Sequence, residues 1–251
     1  MKNQCHSLAL LVLISMPVAL SAEQLPVETI LDKHIAAMGG AQAIQAIENL
    51  RIELNIVEPE FSVRGDYRAA SDGRVRIDVF ADAARVFSEG IDSEGGWQQN
   101  GEGSAVEGMS DAGMAAMAAG VEGNLLGLLQ LEQRGYQVRA LGRYTHEGVE
   151  YHRLQLIRPD GFERHYFINP RTWMIDYTRE TSALHPDVNP AEKAVESFYS
   201  DYRRVCGVMR SHQTRTIELD SRNEIQRSEI TAAQCNLSDE DLGLDRPSSG
   251  V

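Results

Sequence analysis

The sequence lacks any apolar run long enough to cross a bilayer as a helix, which takes about 20 residues. Its first apolar run, at residues 8–14, is much shorter. This run follows the basic Lys2 and precedes Pro17 and the stretch 19–22, which is rich in small residues. A basic start, a short apolar middle and a small-residue end are the three parts of a secretory signal peptide. We therefore predict a signal peptide over residues 1–22 and a mature protein in the periplasm. A buried N-terminal helix is the alternative.

Cysteine is scarce, with three in 251 residues. Cys5 lies inside the predicted leader and away from its cleavage site, so it cannot be the lipid-bearing first residue of a mature lipoprotein, and we expect no lipid anchor. Cys206 and Cys235 remain as a disulfide candidate, since the periplasm permits disulfides. A bridge between them would stabilise the fold by about 3–4 kcal/mol in the chain-entropy model. Two unpaired thiols are the alternative.

Basic residues are outnumbered, with 24 Lys and Arg against 37 Asp and Glu, for a net charge of −13. An acidic surface repels phosphate backbones and anionic bilayer faces. The charge therefore argues against nucleic acid as a partner and favours a free particle, which we expect to be a monomer. Residues 23–251 have the length of a single domain.

Recognisable catalytic patterns are missing. The chain has no G-x-S-x-G elbow, Walker loop, H-E-x-x-H or paired C-x-x-C motif. His146, His152 and His165 fall on neighbouring predicted strands, but no carboxylate or cysteine completes a recognisable ligand set, which favours scattered strand histidines over a metal site. The acidic run 239–241 is typical of a solvated, helix-starting segment. We expect no enzyme activity, no metal and no cofactor.

The spacing of apolar residues changes from helical to strand-like near residue 49. Apolar residues and His34 recur at helical intervals over residues 27–38, which predicts an amphipathic helix that Gly39 and Gly40 end, and a short second helix follows over 41–47. Period-two alternation then predicts antiparallel strands with one dry face. These strands cover residues 49–56, 61–68, 74–79, 138–144, 151–157, 162–168 and 173–180, with two or three more between 195 and 230. Residues 242–251 are expected to fray.

About ten strands with one apolar face need something to cover that face. The predicted fold class is therefore α+β and mainly β: an incomplete antiparallel β-barrel, made of a strongly curled sheet, with helices covering its concave face. This half-barrel would be one domain over residues 23–251.

Residues 109–131 are apolar at helical spacing but interrupted by four glycines, each of which costs a helix about 1 kcal/mol relative to alanine. The segment also carries Met109, Met114 and Met117. Methionine side chains adapt to irregular apolar shapes, so a bendable cover over a binding site is one interpretation. Simple core packing is the other.

Several segments occur in a suggestive order. They are VETILDKHIAAMGG at 27–40, Gly-Gly-Trp97, GNLLGLL at 123–129, GVEYHRL at 148–154, Asp160-Gly161, YFINPRTW at 166–173 and YSDYRRVCG at 199–207. Over nearly the whole mature chain this order resembles the periplasmic lipoprotein-carrier superfamily typified by LolA, LolB and LppX, which includes outer-membrane lipoprotein-sorting-like proteins. The resemblance implies a half-barrel closed by helices around an apolar cavity for acyl chains or another lipid. The missing anchor cysteine departs from the lipid-anchored LolB pattern.

The resulting hypothesis is a periplasmic carrier or binding protein for a lipid, lipoprotein acyl chains or another hydrophobic ligand, with residues 109–131 as a movable lid. Its partners would be a lipid or acylated protein and membrane donor and acceptor proteins. The expected ligand-binding residues of the cavity and lid are Phe87, Trp97, Met114, Met117, Val121, Leu125, Leu128, Trp173, Ile175 and Tyr177. A non-carrier envelope scaffold with a filled core is the alternative, and a hydrolytic enzyme with a cluster converging in the cavity is a third possibility.

Overall fold

A computed structural model describes residues 24–187 and 189–248. The predicted signal peptide lies outside these residues. Within them, no helix combines the length and the apolar character that a membrane crossing requires.

The described residues form four helices and thirteen strands. The helices are α1 (Val27–Met38), α2 (Ala41–Gln45), α3 (Asp111–Leu125) and α4 (Asp239–Leu242). The first six strands are β1 (Asn49–Glu58), β2 (Phe61–Ala70), β3 (Val75–Ala81), β4 (Ala84–Asp92), β5 (Gly95–Gln99) and β6 (Val106–Gly108). The other seven are β7 (Gln137–His146), β8 (Val149–Ile157), β9 (Glu163–Ile168), β10 (Ile175–Ser182), β11 (Lys193–Val205), β12 (Val208–Glu218) and β13 (Glu224–Cys235).

All thirteen strands belong to one antiparallel sheet in the order β6-β5-β4-β3-β2-β1-β13-β12-β11-β10-β9-β8-β7. The first six strands form one meander and the last seven form another, and the two join where β1 pairs with β13. Strands β6 and β7 are the free edges, so the sheet is not closed. The prediction of a mainly β protein with an open antiparallel sheet is therefore confirmed.

The predicted number of about ten strands is wrong, because β4, β5 and β6 were not recognised. Two glycines of this region have a structural explanation. A Cβ at Gly90 would lie 2.5 Å from the Val75 carbonyl oxygen and 2.6 Å from the Trp97 ring, and Gly95 turns the chain between β4 and β5 with φ +115°. Here glycine lets the Trp97 ring approach the backbone, and the strand continues.

Helix α1 is docked at its C-terminal end by an unusually close backbone contact. The α1 helix ends at Gly39, with φ +126°, and a Cβ there would lie 2.4 Å from the Gly207 carbonyl oxygen in the β11–β12 turn. The neighbouring Cys206 is joined to Cys235 by a disulfide, with a Cα–Cα distance of 6.3 Å. The bridge predicted as one of two alternatives is therefore present, and it ties the turn that receives α1 to strand β13.

The C-terminal segment packs against the sheet. Leu242 is only 1% exposed and clusters with Leu244 against Ala70. Arg68 Nη1 donates to the Gly243 carbonyl oxygen at 2.9 Å. The prediction that residues 242–251 fray is wrong for 242–248, because two buried leucines and arginine contacts hold this segment; residues 249–251 lie outside the described part of the chain.

Replacing Gly39 with alanine should destabilise the protein more than replacing Gly40. Both glycines have positive φ, so each substitution carries backbone strain of about 1–3 kcal/mol. Only at Gly39 does the added methyl also collide with the Gly207 backbone, since a Cβ at Gly40 meets nothing within 4 Å. The free energy of unfolding in urea, measured with the disulfide intact, should fall further for Gly39→Ala. Equal losses would mean that the close approach contributes nothing.

Candidate functional site: a cavity between the sheet and two helices

A cavity of about 960 Å³ lies on one face of the sheet. Residues from eight adjacent strands line it, from β3 through β2, β1, β13, β12, β11 and β10 to β9. Eight neighbouring strands can share one cavity only if the sheet curls around it. Residues of α1 and α3 also line the cavity, so both helices lie on this face, which we call the inner face.

The topology explains why α3 lies there. Strand β6 is one edge of the sheet and β7 is the opposite edge, and residues 109–136 connect them. The connection therefore has to cross from edge to edge, and α3 lies on the inner face as it does so. The cavity is the space between this crossing segment, helix α1 and the curled sheet.

Part of the cavity lining is apolar. Strand β1 contributes to it because apolar and polar residues alternate along this strand. Ile52, Leu54 and Ile56 line the cavity, while the polar residues between them point to the other face. Further apolar side chains come from α1, α2, β3, β12 and β13; these are Ile35, Met38, Ile44, Ile77, Val208 and Ile230.

Helix α3 presents two different faces. Met117, Val121 and Leu125 are buried in a core cluster with residues of β1, β2 and β3. The residues that line the cavity are mostly small, namely Ala112, Ala115, Ala116, Ala119, Gly120 and Gly123. Because small side chains project little from a helix, this face leaves the space in front of it open.

The predicted ligand-binding residues lie in several separate places. Leu125, Leu128 and Ile175 line the cavity. The structure does not bring the remaining seven to it: Met114, Met117 and Val121 belong to the core under α3, buried Trp97 packs over Gly90, and Phe87 lies half-buried on β4. Trp173 stacks on His152, with ring centroids 4.9 Å apart, and Tyr177 stacks on Phe167 at 4.1 Å.

Tyr177 illustrates why a strand's inner face is hard to assign. It belongs to an aromatic cluster with Tyr151 and Phe167. Tyr166 lines the cavity, so the adjacent Phe167 and its cluster lie on the opposite, outer face. On strands β8 to β10 both faces of the sheet are thus apolar.

Polar residues also line the cavity, and sequence reasoning did not identify them as a group. Arg164 is paired with Glu180, where Nη2 donates to Oε1 at 2.9 Å. Tyr202 donates to the Ile175 carbonyl oxygen at 2.7 Å. Arg210 and Tyr67 line the cavity as well. Among the described residues, no group of three or more His, Cys, Asp or Glu is arranged to hold a metal ion.

His34 of α1 is 3% exposed and lines the cavity. Its Nδ1 lies 2.8 Å from the Trp173 carbonyl oxygen, which can only accept, so Nδ1 carries the hydrogen. Burial lowers the pKa of His34 below its ordinary value, against the opposing effect of this hydrogen bond. The imidazole is therefore neutral near pH 7 and adds no charge to the cavity.

The loop between β10 and β11 contributes Pro186 and Pro190 to the cavity lining and makes polar contacts with α3 and β1. The Asp187 carboxylate accepts a hydrogen bond from the Ser110 amide at 2.9 Å, at the start of α3. His185 Nε2 lies 2.9 Å from a carboxylate oxygen of Glu58, at the end of β1. The loop thus ties the N-terminus of α3 to the rim of the sheet through polar contacts.

Protonation of His34 should make the protein less stable as the pH falls. The unfolded chain takes up a proton near pH 6.5, whereas the folded state does so only at its lower pKa. Stability is therefore full above pH 6.5 and is lost below it, by at most about 1.4 kcal/mol per pH unit for this group. Urea unfolding between pH 7.5 and 5.5 should show a smaller loss for His34→Gln than for the wild type. An equal pH dependence of the free energy of unfolding in both proteins would contradict the assignment of this effect to His34.

Comparison with known proteins identifies the fold. No protein-family model matches the chain, and no curated protein matches it in sequence. The structure resembles a LolA superfamily protein from Nitrosomonas europaea, with a TM-score of 0.57 and 12% identity over 87% of this chain and 97% of the other. It also resembles a DUF1329 family protein from Desulfovibrio piger, with a TM-score of 0.57 and 11% identity over 86% of this chain and 97% of the other.

A third similar structure is described as an outer membrane lipoprotein-sorting protein domain from Vibrio parahaemolyticus, with a TM-score of 0.54 and 11% identity over 86% of this chain and 95% of the other. At such identities the likeness bears on the fold alone. The fold of this chain is the LolA-like fold that the order of its sequence segments predicted.

Proposed function

We propose that the protein is a periplasmic carrier or binding protein for a lipid, lipoprotein acyl chains or another hydrophobic ligand held in the cavity. The observation that carries the proposal is a space of about 960 Å³ lined by apolar side chains of both sheet and helices. Ligand sites typically occupy about 300–1,000 Å³ and are mostly apolar. A scaffold with a filled core, the alternative function, would have no use for this space.

The energetics of lipid transfer through water favour an enclosed site. Exposing a single sixteen-carbon chain, with about 15 methylenes, costs on the order of 12 kcal/mol at about 0.8 kcal/mol each. A surface patch covers only one side of such a chain, whereas a cavity between sheet and helices surrounds it. The LolA-like fold and the lipoprotein-sorting description of one similar structure agree with this role.

Residues 109–131 form the lid of this proposed carrier. The start of α3 is held by Asp187. Near its end, Glu122 accepts hydrogen bonds from Arg134 at 2.7 Å and from Tyr136 at 2.5 Å. Polar contacts of this kind exchange with water more easily than buried apolar ones, so the N-terminal end of α3 is suited to release while Met117, Val121 and Leu125 keep the helix attached. Membrane-bound donor and acceptor proteins would act on the open form.

Filling the cavity from α3 should block lipid uptake. Ala116 and Ala118 are both exposed residues of α3, but only Ala116 lines the cavity. A tryptophan at position 116 projects into the space that the alkyl chain needs, while one at 118 projects elsewhere. We expect Ala116→Trp to weaken binding of a fluorescent fatty acid at least tenfold, and Ala118→Trp to bind like the wild type, with both variants unfolding at similar urea concentrations.

Solvent extraction of the protein purified from its own cell envelope, followed by mass spectrometry, provides the independent test. A lipid recovered from the wild type and depleted in Ala116→Trp supports the carrier. No extracted lipid, together with no fatty-acid uptake by the wild type, would reject it and leave the scaffold as the better account.

A further inference from the structure

Not every charged residue that lines the cavity is paired with a residue of opposite charge. Arg158 donates to Asp160 at 3.1 Å, and Arg164 is paired with Glu180. Glu192 lies at the exposed end of the cavity lining. Arg210 remains. Among the described residues its guanidinium forms no ion pair, and the hydrogen-bond partners of the guanidinium are two oxygens of the neutral Asn124.

The contacts of Arg210 leave most of its donors unused. Nη2 donates to the Asn124 carbonyl oxygen at 2.9 Å, and Nη1 reaches the Asn124 side-chain oxygen at 3.4 Å, a long hydrogen bond. A guanidinium carries five N–H groups, so three of them have no acceptor among the described residues. Among the described residues, Nε is buried without a partner, and the hydroxyl of the neighbouring Tyr67 is buried close to the Asn124 side chain without a hydrogen bond of normal geometry.

An unpaired cation inside a protein is costly, because it loses hydration and gains no opposite charge in return. Burial lowers the pKa of Arg210, yet arginine stays charged at physiological pH. Burial raises the pKa of Tyr67 to about 12, so its hydroxyl remains a neutral donor. Several hydrogen-bond donors and one positive charge therefore meet beside the apolar lining, and no acidic residue in the described part of the chain is paired with them.

A structural role accounts for part of this arrangement. The Asn124 carbonyl belongs to the last turn of α3, where carbonyl groups lack intrahelical partners and carry partial negative charge. Arg210 thus holds the end of α3. A carbonyl dipole offsets only part of a full charge, and it leaves Nε without a partner among the described residues.

We propose that Arg210, assisted by Tyr67, binds the acidic group of the cargo, so that the ligand is an anionic amphiphile with a carboxylate or phosphate at one end. This inference rests on the proposed carrier function. The acidic group pairs with the guanidinium, and the alkyl chain extends along the apolar lining formed by Ile52, Leu54 and Ile56. Because Nε and the Tyr67 hydroxyl are closed to solvent here, reaching them requires displacement of the Asn124 amide from its 3.4 Å contact.

The test compares two ligands of equal chain length, palmitate and hexadecanol, at pH 8, by displacement of a fluorescent probe. The wild type should bind palmitate at least tenfold more tightly than hexadecanol. Arg210→Met should lose this preference while its affinity for hexadecanol changes less than threefold. Arg210→Lys, which keeps the charge, should keep part of the preference and also serves if the methionine variant fails to fold.

Arg215 supplies the matched control on the same strand. Its guanidinium lies 4.8 Å from the centre of the Phe198 ring, it is exposed, and it does not line the cavity. Arg215→Met changes the net charge by the same amount, so it should bind both ligands like the wild type.

The outcomes separate this inference from the proposed function. Failure of the wild type to bind either ligand would reject the carrier itself. Equal binding of palmitate and hexadecanol by the wild type would leave the carrier standing and overturn the role of Arg210. Equal loss of both ligands in Arg210→Met would reduce Arg210 to an anchor for α3. Stabilisation of the wild type by inorganic phosphate alone at low millimolar concentration, absent in Arg210→Met, would assign the site to a small free anion.

Discussion

A sheet whose chain leaves at one edge and must resume at the other forces the connecting segment to cross a face of that sheet. In this protein the crossing joins β6 to β7 over the full width of thirteen strands. The inner face is apolar and has to be covered in any case. Helix α3 therefore serves as both connection and cover, and the position of the cavity follows from this one topological requirement.

The cavity stays open because the two covering helices are attached in different ways. Helix α1 is fixed by backbone contact between Gly39 and Gly207, next to the disulfide. Helix α3 buries Met117 and Val121 against β1, β2 and β3 but turns alanine and glycine toward the cavity. A row of large side chains in those positions would fill the interior, so the apolar residues of β1 face open space instead of side chains.

Much of the fold could be predicted from the sequence, because period two and period 3.6 are visible in β1, β2 and α1 without any tertiary knowledge. Strands β4 to β6 could not be predicted, because Gly90 is explained only by the Trp97 ring that lies over it.

The residues of the candidate site were harder to predict than the fold. Alternation predicts that Ile175 and Tyr177 differ from their neighbours but does not say which face is inner, and a bulge after Ile175 separates the two. Arg210 has no sequence signal, because its lack of a counter-ion is a property of its surroundings.

The pairing of β1 with β13, which we call the seam, affects the order in which the protein folds. Each half of the sheet is a meander whose strands pair with their immediate neighbours in sequence, so each can assemble from local contacts. The seam joins residues almost at opposite ends of the chain, such as Leu50 with Cys235. Such distant pairings are slow to find. The two halves of the sheet are therefore expected to join around the cavity as the last step of folding, once strand β13 is available to pair with β1.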